Sequence, residues 1–199
     1  MSTDPGTLSA ERILDTAEEV LRRFGPAKAT VLDVARALGV SHGSVYRHFP
    51  SKAALRAAVA ERWLARVSTP LVEIATGEGP AADRLRRWLR ELSRSKRRIA
   101  REDPELFDNF QRLAAQLEDV VATHLEVLAG QLAVIVADGV AAGEFTAADP
   151  ALAGRAVLQA TARFHHPAHV SEWTEPGLED DMAAVVALLI DGLRTRPAG

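Results

Sequence analysis

Cysteine is absent from all 199 residues, which excludes a disulfide framework, a cysteine-based zinc site and a thiol nucleophile. No apolar run reaches the roughly 20 residues that span a bilayer, so no membrane partner is expected. The opening Met1-Ser-Thr-Asp-Pro-Gly6 lacks a basic region leading into an apolar core, so no secretory signal is expected there either. These absences make the cytoplasm the expected site of action. Strand-like alternation, internal repeats and low-complexity tracts are missing too, and nearly everything between the turns fits a helical period. HExxH, a nucleophile elbow and a carboxylate at a fixed offset from a histidine are all lacking, which leaves little for hydrolytic chemistry. What is present is 47% hydrophobic residues, ample for a core, and a formal net charge of −3.

That charge is unevenly spread. Residues 1–66 hold 10 Lys and Arg against 7 Asp and Glu, whereas residues 67–199 hold 14 against 20. The N-terminal third is therefore the part whose potential favours phosphates.

Within it, residues 30 to 52 read Thr-Val-Leu-Asp-Val-Ala-Arg-Ala-Leu-Gly-Val-Ser-His-Gly-Ser-Val-Tyr-Arg-His-Phe-Pro-Ser-Lys, two short helices joined by a tight turn. Thr30 is an N-cap, with Asp33 as its reciprocal partner. Val31, Val34, Ala35 and Leu38 share one helical face. Gly39 supplies the positive φ that ends such a helix, and Ser41 caps the next. That second helix, expected over His42 to Phe49, has only Val45 and Phe49 as core residues. His42, Gly43, Ser44, Tyr46, Arg47 and His48 are left facing outward, a surface that packing alone does not account for. Pro50 stops the helix and Ser51 caps the one that follows.

Together with an amphipathic lead helix from Ile13 to Phe24, this stretch resembles the DNA-binding domain of the TetR family of bacterial regulators. The matching pieces are the Thr30 start, Asp33-Val-Ala35, Gly39-Val-Ser41, Gly43-Ser-Val-Tyr46, and His48-Phe-Pro-Ser-Lys52 followed by Leu55. They cover about the first third of the chain; beyond it only the length and the helical pattern agree. Ala53 departs from the acidic residue many relatives carry. The resemblance implies an all-α protein, with an N-terminal three-helix helix-turn-helix domain over residues 1–56. A long helix would join it to a C-terminal helical ligand-binding and dimerisation domain over residues 57–199. It also implies a homodimer that places two recognition helices in successive major grooves of an operator, their spacing controlled by a small molecule.

Reading bases requires donors and acceptors in the major groove, and His42, Ser44 and Arg47 are the candidates. Arg47 suits either a bidentate bond to guanine, worth roughly 1–3 kcal/mol of discrimination, or a grip on phosphate. Gly43 has no side chain, so the helix can approach the duplex closely, and Ser41 belongs to the same surface as its cap. Thr30, Tyr46, His48 and Lys52 suit phosphate contacts, which position without reading. Tyr46 and His48 have the alternative of closing over the small core.

Downstream, periodicity predicts helices over about 51–76, 81–100 and 113–142, with a short one after Asp103-Pro104. Two more are expected, from Asp149-Pro150 to about His165 and from Leu178 to Arg194. These last two are apolar on several faces, Val185, Val186, Leu188, Leu189 and Ile190 being examples. A helix apolar all round is buried, so a homodimer built through the last two helices is expected.

Trp88, Phe107, Phe110, His124, Phe164 and Trp173 are the candidate lining of an organic-ligand pocket, each with plain core as its alternative. His124, His165 and His169 are a candidate set for a divalent metal effector, although no cofactor is required. Arg84, Arg87, Arg94, Arg98 and Arg101 repeat at helical spacing. They read as a solvated face pairing with Glu91, Glu102 and Asp103, or as an accessory anion or DNA-backbone contact.

The expected function is therefore that of an effector-controlled DNA-binding regulator, not an enzyme, most often a repressor in the family it resembles. A constitutive DNA-binding protein without effector is the alternative, and a metal-dependent hydrolase using the histidines is a remote third.

Overall fold

The computed structural model describes residues 8–195. Residues 1–7, on which the expectation about a secretory signal rests, and 196–199 lie outside them. The fold is all-α: among the described residues there is no strand, only an isolated bridge between Phe145 and Arg194. Among the described residues two compact units form, one from residues 8–63 and 103–121, the other from 64–102 and 122–195.

The first unit begins with α1 (Ala10–Lys28), capped by Ser9, whose side chain accepts from the Arg12 N–H at 3.2 Å. The helix kinks at Gly25 and runs one turn past the expected stop before Pro26. Next come α2 (Val31–Leu38) and α3 (His42–Tyr46), joined through Gly39, whose φ of 68° requires the left-handed region. α3 is shorter than the sequence pattern suggests. The N–H groups of His48 and Phe49 both turn back onto the Val45 carbonyl at 3.0 Å, so the helix closes ahead of Pro50. The early part of α4 (Lys52–Thr76) and all of α6 (Pro104–Ala114) complete the unit. α6 starts on Asp103, whose carboxylate takes the Leu106 N–H at 3.0 Å. Ile13, Val34, Val45 and Val59 are buried here, and Trp63 stacks on Phe110 at 4.7 Å. Arg62 ties α4 to α1 through Glu18 at 2.6 Å and Asp15 at 2.8 Å.

The second unit holds the rest of α4, α5 (Ala81–Glu102), most of α7 (Glu118–Ala141), α8 (Pro150–Ala160) and α9 (Leu178–Leu193). α7 starts later than expected because residues 113–117 belong to the end of α6 and a turn. An 18-residue window of α7 has a mean hydropathy of 1.8, long and apolar enough to cross a membrane by length and composition. This corrects the expectation that no such run exists; His124, Glu126 and Gln131 interrupt the run without lowering its average much. The inner face of α7 is core here, with Leu128, Leu132, Ile135 and Val136 all buried.

α8 packs close to α7. A Cβ on Gly154 would stand 2.7 Å from the Ala129 carbonyl oxygen, so only glycine permits this approach. α8 ends at Ala160, short of the expected His165. The chain instead takes two 3-10 turns, Ala162–Phe164 and Pro167–Glu172. Arg163 secures this segment by donating to Glu172 at 2.7 Å, Asp181 at 2.8 Å and Glu175 at 3.2 Å.

The basic helix α5 is only partly a solvated face. Arg84 is buried, donating to the Ala75 and Ile74 carbonyls that end α4 and to Asp138 at 2.8 Å. Lys96 is buried as well. Arg84, Trp88, Leu92 and Lys96 are each four apart, so both cations share the apolar stripe.

Candidate nucleic-acid interface and effector site

Thr30 and Asp33 form a reciprocal cap. The Asp33 N–H donates to Thr30 Oγ1 at 3.2 Å, and the Thr30 N–H donates to the Asp33 carboxylate at 3.1 Å. α2 is thereby fixed, and it packs against α3. Ser41 caps α3 by accepting from the Ser44 N–H at 3.2 Å. Val45, fully buried, is the one α3 side chain in the core, while Phe49 is half-buried beyond the helix end.

The other residues of this region lie at the surface. Thr30, Ser41, His42, Gly43, Tyr46, Arg47, His48 and Lys52 are exposed, and Ser44 is half-buried. Tyr46 is 40% exposed, so its ring is not a lid on the core. It meets His42 edge-to-face, with ring centroids 6.2 Å apart. Arg47 extends back along the helix and donates to Ser44 Oγ at 3.3 Å. One small face thus presents imidazole, phenol, hydroxyl and guanidinium groups, the donor and acceptor types that read base edges and grip phosphates.

The expected pocket residues fall into two groups. Phe107 and Phe110 belong to the first unit, against Trp63. Trp88, His124, Phe164 and Trp173 are all buried in the second. Trp88 donates its indole N–H to Gln131 at 2.9 Å, and Trp173 donates to the Arg163 carbonyl at 3.0 Å.

The histidines do not form a ligand set. His169 is engaged with Glu172 at 2.6 Å, and His165 Nε2 lies 3.3 Å from both Thr161 Oγ1 and the Leu158 carbonyl. Among the described residues, no group of three or more His, Cys, Asp or Glu could hold a metal ion. His124 instead stands near Lys96 and His165. Burial, then the charges of Lys96 and His165, push its pKa down to about 3. Burial and the Lys96 charge bring His165 to about 4, and burial brings Lys96 to about 8. Lys96 belongs to the basic helix expected to be a solvated face, yet it is buried, and its spacing from Trp88 and Leu92 marks it as inward-facing.

Comparison with known proteins places both halves of the chain. The family "Bacterial regulatory proteins, tetR family" matches residues 13–59, and "Tetracyclin repressor-like, C-terminal domain" matches residues 81–186. Two uncharacterized HTH-type transcriptional regulators of Mycobacterium tuberculosis, strains CDC 1551 and H37Rv, are each 32% identical over 123 residues. The match takes in 61% of this chain and spans 58% of the length of those relatives. A structure described as the molecular basis for control of antibiotic production by bacterial hormones is 27% identical, with a TM-score of 0.62 over 94% of this chain and 97% of its own. SmeT, repressor of the Stenotrophomonas maltophilia efflux pump SmeDEF, shares the fold at 17% identity and TM-score 0.67, over 98% of this chain and 94% of its own.

Proposed function

We propose a repressor's function for this chain, which belongs to the tetR family of bacterial regulatory proteins. It works in the cytoplasm as a homodimer on double-stranded operator DNA, and a small-molecule effector bound in the C-terminal domain releases it. Residues 1–56 bind DNA; residues 57–199 bind the effector and the second subunit.

The observation that carries this reading is the surface of α3: one buried side chain, and otherwise groups suited to DNA. His42, Ser44 and Arg47 face base edges in the major groove, with Gly43 giving close approach. Thr30, Ser41, Tyr46, His48 and Lys52 hold the backbone. Dimerisation through α8 and α9 is supported by apolar side chains the protomer leaves uncovered, Leu152 at 57% exposure and Leu188 at 74%. Control is geometric: the effector stabilises a conformation whose recognition helices no longer match half-sites one helical turn apart. A tenfold loss of operator affinity needs a preference of about 1.4 kcal/mol for that conformation.

Selection of genomic fragments by the purified dimer, followed by protection mapping, tests the proposal. The expected result is a short two-fold symmetric site bound far above competitor DNA. Uniform binding to all fragments would overturn it.

A further inference from the structure

The function proposed above makes no use of the outer face of α5. Arg87, Arg90, Arg94, Arg98 and Arg101 are all exposed and stand three or four residues apart, on one side of the helix. The opposite side is core, with Leu85, Trp88, Leu89 and Leu92 fully buried. At the helical rise per residue, the five guanidinium groups form a row about 21 Å long. Among the described residues, none of the five enters an ion pair. Asp83 pairs with Arg86 at 2.9 Å, and Glu179 with Arg97 at 2.8 Å, although Glu179 also senses Arg94 and Arg90. Glu91 and Glu102, partners expected from the sequence, make no pair with the row, and Asp103 takes Arg22 instead at 3.0 Å. Like charges three and four residues apart repel, so the row weakens its own helix, and packing returns nothing at exposed positions. It also contrasts with its surroundings. α5 carries nine Lys and Arg against three Asp and Glu, whereas residues 67–80 and 103–199 carry five against 17.

All five side chains are arginine, whose planar fork takes phosphate oxygens in pairs. A row of positive charge is matched by a row of negative charge. Duplex DNA supplies one, with a charge for about every 1.7 Å of its axis, and it is the polyanion that a member of this family meets. We propose that the outer face of α5 is a second DNA contact, in which Arg87, Arg90, Arg94, Arg98 and Arg101 grip the phosphate backbone of a duplex without reading its bases. The contact adds affinity that depends on salt and not on sequence. It goes beyond the operator reading of α3 and does not rest on it.

Fluorescence anisotropy of the full-length protein with random-sequence duplexes two and six helical turns long, over a salt series, tests the proposal. Each phosphate contact adds about 0.9 to the slope of log affinity against log salt concentration. Arg90→Gln with Arg94→Gln and Arg98→Gln should therefore lower that slope by about 2.7. Melting temperature should stay unchanged or rise. The ends of the row are a second variant, Arg87→Gln with Arg101→Gln, which should lower the slope by about 1.8. Lysine at positions 90, 94 and 98 keeps the charge and should restore most of the slope. A loss confined to the longer duplex supports the proposal and places the contact on the DNA that α3 holds. A second short duplex bound by the native protein and lost in the glutamine variants supports it on a separate segment. An unchanged slope in both glutamine variants overturns the assignment. So does unchanged DNA binding together with lost binding to phosphatidylglycerol vesicles, which would make the face a membrane contact. Tyr46→Ala with Lys52→Ala isolates α3: in that background the slope should still fall when the α5 arginines are replaced. Failure here leaves operator selection by α3 standing.

Discussion

Trp88 and Gln131 share a hydrogen bond of 2.9 Å in the core of the second unit, and Gln131 passes the connection on, its amide nitrogen donating to the Ser68 carbonyl at 3.0 Å. One side chain on α7 thereby satisfies buried groups on α5 and α4. Gln131→Leu fills the space but leaves the buried indole N–H without its acceptor. It should cost about 1–3 kcal/mol in urea unfolding. Gln131→Glu can still accept from Trp88 but, when ionised, cannot donate to Ser68, and it should be destabilised too. A neutral result for both would remove the relay from the account of stability.

Arg47 decides between two kinds of contact. If it bonds a guanine edge, Arg47→Ala changes the ranking of operator variants and costs about 1–3 kcal/mol at one position. Uniform weakening across variants would make it a phosphate contact. The pair Tyr46→Ala and Lys52→Ala should weaken binding to every sequence and flatten its dependence on salt. Melting temperatures should move little, since all three side chains are exposed.

Leu188, 74% exposed on α9, tests the proposed dimer. Leu188→Asp sets a carboxylate where apolar contact is expected. Sedimentation should show the dimer dissociation constant rising by more than about tenfold. An unchanged dimer would move the interface elsewhere.

The buried histidines make stability fall in acid. Burial lowers His124 from 6.5 to about 3 and His165 from 6.5 to about 4. Above 6.5 both are neutral in the folded and unfolded chain, and they contribute no pH dependence. Below it the unfolded chain takes up protons that the folded chain refuses, so stability drops as pH falls toward 4. His124→Gln with His165→Gln should flatten melting temperature against pH between 7 and 4.5; an equally steep curve would place the sensitive groups elsewhere.

The first unit was legible because its signals are local. Thr30 with Asp33, Gly39 and Ser41 set the ends of α2 and α3, and a reader needs nothing beyond the next turn to see them. The burial of Lys96 is not legible in the same way: its charge suggests solvent, and only the phase it shares with Trp88 and Leu92 gives its direction. The end of α8 was missed because it depends on local capping. Thr161 turns its hydroxyl back onto the carbonyls of Val157 and Leu158, a competition invisible in an apolar pattern. Membership of α6 in the first unit is a contact between distant parts of the chain, α1 against α6, which no periodicity encodes.

The single anchor of α3 separates what a lineage can change from what it must keep. With Val45 as the one fully buried residue, the surrounding surface can be rewritten at small folding cost. New operator preferences are then reachable by point changes that stay above the stability threshold. Regulators with this geometry can diverge in the genes they address faster than in the scaffold that presents the address.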